Sequence, residues 1–242
     1  MTRILLLGGT AEARSLARVL SEIAVLSITA SLAGATSDPA PYACPTRTGG
    51  FGGPDGLAAW MRDNEIALLI DATHPYAVQM QGNAVIAARA TGVPRLRLLR
   101  PPWPDRTGWV CARDIAASAD KLPEGARALL TTGRKEIEPF VARGDCTFTL
   151  RSVEPVPDLP THIAQFIARP PFSAEAEQTL FESLGITHLV SKNAGGTGTA
   201  KLDVAEDMRL TTIMVARPTP PPGPTADSTE AAVAWVREKV AF

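Results

Sequence analysis

Short apolar runs alternate with amphipathic segments along almost the whole chain, and this rhythm limits the fold more than any other feature. In the first part the strand candidates are Arg3–Leu7, Val25–Ser31, Ile66–Ile70 and Arg95–Leu98, with a weaker piece at Ala43–Thr46. Between them Ala13, Leu16, Ala17 and Leu20 repeat at i, i+3, i+4 and i+7, the spacing of one apolar helical stripe. Leu57–Arg62 and Val78–Thr91 read as helices too, the second stopping at Gly92-Val93-Pro94. Strands alternating with helices build parallel βαβ units, so an α/β fold is expected.

The stretch "RPPWPDRTG", Arg100 to Gly108, carries three prolines and can continue neither strand nor helix. It reads as a linker or hinge. The rhythm then resumes, with strands at Trp109–Ala112, Ala128–Thr132, Thr147–Ser152, His188–Ser191 and Thr212–Val215. The matching helices are Asp114–Lys121, Glu136–Arg143, Ser173–Leu184 and Ala200–Arg209; "RPTPPPGPT" then precedes a last helix, Ser228–Lys239. The expected architecture is two Rossmann-like α/β domains with parallel sheets and a cleft between them. Residues 1–100 form the first and residues 107–242 the second.

With 24 Lys and Arg against 25 Asp and Glu in 242 residues, the chain lacks the charge excess of a nucleic-acid or membrane-surface protein. The three cysteines, Cys44, Cys111 and Cys146, are scattered, with no CxxC pair or neighbouring His. They read as thiols of a reducing compartment, and no metal is expected. No apolar run approaches the roughly 20 residues that span a bilayer, so a soluble, cytoplasmic protein is expected.

Three loops of the first domain carry the chemistry. "ILLLGGTAEARSLARVL" is a strand, a glycine turn and a helix, which aims backbone N–H groups and a positive helix end at one point and so suits a phosphate. Gly8 and Gly9 permit the turn, Thr10 caps the helix, and Glu12 must turn away from any pyrophosphate. At the end of the second strand, where NAD-binding folds place an acid about 20 residues past the glycines, "TASLAG" has Ser31 and no acid before Asp38. A hydroxyl tolerates a 2′-phosphate that a carboxylate repels, so a bound dinucleotide would be NADP, with Arg14 and Arg47 as cations still to be placed. In "IDATHPYA", His74 and the stiffening Pro75 follow Asp71 in the loop at a strand's carboxyl end, where open α/β sheets bind ligands.

In the second domain, "LLTTGRKEI" and "LVSKNAGGTGTAKLDVAEDM" each combine small donors with cations at a helix start, a surface for carboxylates or phosphates. The chain has no YxxxK, since Thr46 and Met80 stand four places after Tyr42 and Tyr76. It also has no GxSxG and no GxxxxGK[ST], which argues against a short-chain dehydrogenase, a serine hydrolase and a P-loop kinase.

Taken in order, "GGTAEARSLA", "DATHPYA", "PRLRLLRPPW", "TTGRKEI", "SKNAGGTGTAKLDVAEDM" and "IMVARP" resemble the motifs of the precorrin-6A reductase family of cobalamin biosynthesis. Ala194 departs from the Ser more usual in that family. The resemblance implies NADPH-dependent reduction of one double bond of the precorrin-6A macrocycle to precorrin-6B, with the cofactor on the first domain and the tetrapyrrole between domains. It places Gly8, Gly9 and Thr10 at the pyrophosphate, with Glu12, Arg14 and Thr73 in the same site. Ser31 falls near the 2′-phosphate, and His74 and Pro75 beside the nicotinamide. Thr132, Gly133, Arg134, Ser191, Lys192, Asn193 and Lys201 would meet the carboxylated substrate. Lys201 and His74 are the candidate catalytic proton donors, with water as an equal alternative. A cobalt-precorrin-6A reductase and a non-catalytic NADP-binding module are the other readings. A monomer is expected.

Overall fold

Each apolar run becomes a parallel strand. A computed structural model describes residues 1–34 and 39–240. Its elements run β1 (Thr2–Leu7), α1 (Ala11–Ser21), β2 (Leu26–Leu32), β3 (Thr46–Thr48), α2 (Gly53–Asp63), β4 (Leu68–Asp71), α3 (Val78–Thr91) and β5 (Arg95–Leu98). They continue with β6 (Trp109–Ala112), α4 (Ile115–Asp120), β7 (Arg127–Leu130), α5 (Glu138–Val141), β8 (Thr147–Ser152) and β9 (Ile163–Ile167). The chain ends with α6 (Ala174–Ser183), β10 (His188–Lys192), α7 (Ala200–Asp207), β11 (Thr211–Val215), β12 (Thr225–Ala226) and α8 (Thr229–Val240). No helix among the described residues is long and apolar enough to cross a membrane.

Two compact units result: Met1–Pro101 together with the stretch from Pro218 onward, and Pro102–Arg217. This corrects the expected second domain of residues 107–242. The C-terminal segment returns to the first unit, where β12 pairs with the outer edge of β5; Arg97 N–H donates to Pro224 O at 2.9 Å and Leu99 N–H to Ala226 O at 2.8 Å. Ala232 and Val236 of α8 are fully buried in the same core as Leu16 and Leu20 of α1. The proline-rich break marks where the chain leaves a sheet, but nothing in its composition says which sheet the following helix covers.

The first unit has the strand order β3-β2-β1-β4-β5-β12, all parallel. The chain therefore winds outward in both directions from a reversal between β1 and β4, the crevice where such sheets bind ligands. Ile4 and Leu6 join the core under α1 and α8, while Leu5 and Leu7 join the core that includes Leu57 and Met61 of α2 and Ala84 and Ala87 of α3. Both faces of β1 are covered, which is why it reads as an unbroken apolar run.

The second unit has the order β6-β11-β10-β7-β8-β9, also parallel. Its reversal lies between β7 and β10. The helix expected at Glu136–Arg143 is instead a 3₁₀ turn, Arg134–Glu136, and a single turn, α5. Pro139 supplies no N–H, and Arg143 leaves the helix path to donate to Leu122 O at 2.8 Å and Ala119 O. The edge strand β9 has no sequence signal, because most of its side chains are exposed and "IAQFI" lacks a buried run.

Under the first reversal Arg97 and Asp71 form an ion pair at 2.6 Å, their side chains 1% and 0% exposed. Replacing Arg97 with Leu strands a buried carboxylate, and such breaks cost ~3–5 kcal/mol. Urea unfolding of Arg97→Leu is expected to show a loss of about that size. The double variant Asp71→Leu/Arg97→Leu should recover much of it.

Candidate dinucleotide and substrate loops

The glycine loop leaves β1 at the reversal. Gly8 N–H donates to Ser31 O at 2.9 Å, which ties the loop to the end of β2. The two glycines answer different demands. Gly9 has φ +112°, a left-handed conformation that disfavours side chains, whereas a Cβ on Gly8 would stand 2.6 Å from the Tyr42 hydroxyl oxygen. Thr10 caps α1, its Oγ1 accepting from Ala13 N–H at 3.1 Å and donating to Ala72 O at 2.8 Å. The hydroxyl is thus committed within the protein, so any phosphate contact of Thr10 falls to its backbone. Glu12 does turn aside and pairs with Arg100. Thr10, Glu12, Thr73, Pro75 and Arg100 line one small pocket beside the loop.

The His-Pro loop is built on the buried ion pair. Asp71 Oδ1 accepts from Thr73 N–H at 3.1 Å and Thr73 Oγ1 at 2.8 Å, and Arg97 donates to Asp71 O at 3.1 Å and Thr73 O at 3.0 Å. Thr73 is therefore an internal brace. Gln81, buried in α3, donates to His74 O at 3.1 Å and Pro75 O at 3.0 Å, so the next two carbonyls are held as well. His74 itself is half-buried and its ring lies 5.6 Å from that of Tyr76.

At the end of β2 the structure supplies a cation that spacing did not place. Ser31 pairs in register with Arg47 of β3, and Arg47 Nη1 donates to Ser31 Oγ at 2.8 Å. The guanidinium also donates to Gly49 O and Gly50 O, both at 3.0 Å, and lies 3.9 Å over the Phe51 ring. Burial lowers its pKa from the ordinary arginine value. Asp38 lies outside the described residues.

In the second unit, the two polar loops follow β7 and β10, the strands flanking its reversal. Thr131 N–H and Oγ1 both donate to Val190 O, at 2.9 and 3.0 Å, joining the loops at their base. Thr132 is buried and Gly133 has φ +97°. Arg134 is exposed at the rim, whereas Lys192 pairs with Glu136. Ser191 and Asn193, expected at the substrate, are buried. Asn193 grips the Trp103 backbone, accepting from its N–H at 2.8 Å and donating to its carbonyl at 3.0 Å. The Trp103 indole N–H donates to Gly196 O at 2.7 Å, so Trp103 is tied to the glycine-rich loop through both backbone and side chain.

Lys201 begins α7 and its Nζ lies 5.1 Å from the Trp103 ring centroid. Burial, assisted by Arg151 and opposed by Glu177, lowers its pKa to about 8. Arg151 and Glu177 are themselves a buried two-point pair, at 2.7 and 2.5 Å. Among the described residues no group of His, Cys, Asp and Glu is placed to hold a metal ion.

A glycine loop running into a helix N-terminus at the reversal of a doubly wound parallel sheet is the architecture of a Rossmann-like α/β protein. The model of one family, "Precorrin-6x reductase CbiJ/CobK", matches residues 3–237, and the chain belongs to that family. It is 42% identical to precorrin-6A reductase of Rhodococcus erythropolis over 243 residues, 98% of each chain. It is 26% identical to cobalt-precorrin-6A reductase of Synechocystis, covering 94% of this chain and 93% of that one. Among solved structures, "CobK precorrin-6A reductase" superposes with a TM-score of 0.91 at 38% identity, covering 99% and 97% of the two chains.

The lowered Lys201 pKa has a consequence for stability. Between about pH 8 and the ordinary lysine value of 10.5 the unfolded chain retains a proton that the folded chain has released. Stability should rise with pH across that window, because the unfolded state binds more protons there. Urea midpoints at both ends of the window should show this contribution in the parent and its loss in Lys201→Met.

Proposed function

We propose that this chain reduces one double bond of the precorrin-6A macrocycle, giving precorrin-6B, with NADPH as reductant. The observation that carries the reading is the end-to-end match with precorrin-6A reductase of Rhodococcus erythropolis, at 42% identity. The same comparison favours the cobalt-free substrate, since the cobalt-precorrin-6A reductases of Synechocystis and Priestia megaterium stand at 26% and 28%.

The residues fit the cofactor. The left-handed turn at Gly9 leads into the first turn of α1, whose backbone N–H groups would face a pyrophosphate, and Ser31 with Arg47 offers a hydroxyl and a guanidinium to a 2′-phosphate. Arg47 stands ready because Gly49, Gly50 and Phe51 already fix its plane. The reduced nicotinamide supplies the hydride. The braced His74-Pro75 loop would border that ring and restrict its movement. Gly133, Arg134 and Lys192 form the rim that meets substrate carboxylates, with Thr132 buried beneath them. Lys201, whose pKa burial lowers to about 8, and His74 are the candidate proton donors, with water as an equal alternative.

The test is consumption of NADPH, followed by its absorbance, with and without precorrin-6A. Substrate-dependent loss is expected, and binding without turnover would instead mark a non-catalytic module. In the same assay Arg47→Ala should raise the KM for NADPH about tenfold or more while leaving NADH nearly unaffected, the size of a lost charged hydrogen bond. An equal loss with both dinucleotides would remove Arg47 from the 2′-phosphate.

A further inference from the structure

We propose that Tyr42 is a phosphate-binding residue of the glycine loop, its phenol O–H donating to a pyrophosphate oxygen of the dinucleotide. This rests on the cofactor reading above and adds a residue that the glycine fingerprint does not contain. Tyr42 precedes β3, far from the loop in sequence, and no local motif marks it.

The argument is a count of donors and acceptors. A neutral phenol has one proton to give and two lone pairs to fill. The Tyr42 oxygen accepts the Gly9 N–H at 2.9 Å. The Arg14 guanidinium, on the first turns of α1, lies near the phenol and favours negative charge on its oxygen. Both neighbours are donors only, so neither can take the phenol's own proton, and no acceptor for it occurs among the described residues. Burial raises the Tyr42 pKa above its ordinary value of 10.0, so the proton stays on the oxygen at neutral pH.

The position of this O–H is equally specific. The phenol oxygen lies so close to the loop that a Cβ on Gly8 would meet it at 2.6 Å. Tyr42 thus withdraws one backbone N–H, that of Gly9, from a cradle whose purpose is to face an anion, and substitutes its own hydroxyl there. Arg14 behind it contributes positive charge to the same point. An O–H donor, a guanidinium and the N-terminus of the eleven-residue helix α1 meet at one place. A phosphate oxygen matches all three.

The test compares binding of NADPH and NADH to the parent and to Tyr42→Phe, which keeps the ring and removes only the hydroxyl. Both dinucleotides share the pyrophosphate, so both should weaken by a similar factor, about tenfold for a hydrogen bond to a charged group. In turnover the KM for NADPH should rise while kcat at saturation stays unchanged. Arg14→Leu should shift both affinities in the same direction by a smaller factor. Unchanged affinity in Tyr42→Phe would overturn the proposal, and tighter binding would identify the phenol as an obstruction instead. A loss confined to NADPH would also overturn it, by moving Tyr42 to the 2′-phosphate. Failure of the parent itself to bind either dinucleotide would overturn the cofactor reading, and this proposal with it.

Discussion

A carboxylate that never meets solvent organises the first unit. Asp71 ends β4 at the point where the sheet reverses, and its burial is tolerable only because Arg97 from the neighbouring strand faces it. Having entered the core for that purpose, the guanidinium also bonds to Asp71 O, Thr73 Oγ1 and Thr73 O. Thr10 then fastens the adjacent carbonyl, Ala72 O, to the start of α1. The glycine loop and the His-Pro loop are consequently parts of one hydrogen-bonded frame. A ligand that needs both can find them at a fixed separation without ordering either, and less of its binding energy is lost to immobilising loops.

The second unit uses polar side chains differently. Its two reversal loops are joined through Thr131 and anchored by Asn193 on Trp103, so the rim can be cationic while its foundation is neutral. Lys192 is matched by Glu136 and Arg151 by Glu177. In a protein of formal charge −1 these cations are matched within the protein, so they add little to any field spread over the surface.

Much of this was legible in the sequence wherever one local pattern sufficed. Ala13, Leu16, Ala17 and Leu20 announced α1 and are all fully buried. The positions of the three loops of the first unit and the two of the second followed from the strands whose carboxyl ends they follow. What escaped depended on distant partners. Ser31 could be read, but Arg47 joined it only through strand register. Thr10 and Asn193 looked like ligand groups because a polar side chain in a loop gives no sign that a buried backbone group has already claimed it. Tyr42 stands in no local motif, and only the fold brings it to Gly9. The return of β12 and α8 to the first sheet was hidden for the same reason, since an amphipathic helix such as α8 fits many sheets equally well.

That return also dictates an order of assembly. During synthesis from the N-terminus, every strand of the second unit emerges before β12 and α8 do. The first unit, although begun earlier, has an uncovered face over Leu16 and Leu20 and an open edge at β5 until β12 and α8 emerge. The second unit can close as an uninterrupted segment, whereas the first waits for a segment that lies beyond the second. A chain truncated before β12 therefore lacks the cover of its first sheet, and α1 is sealed only after the whole second unit has been made.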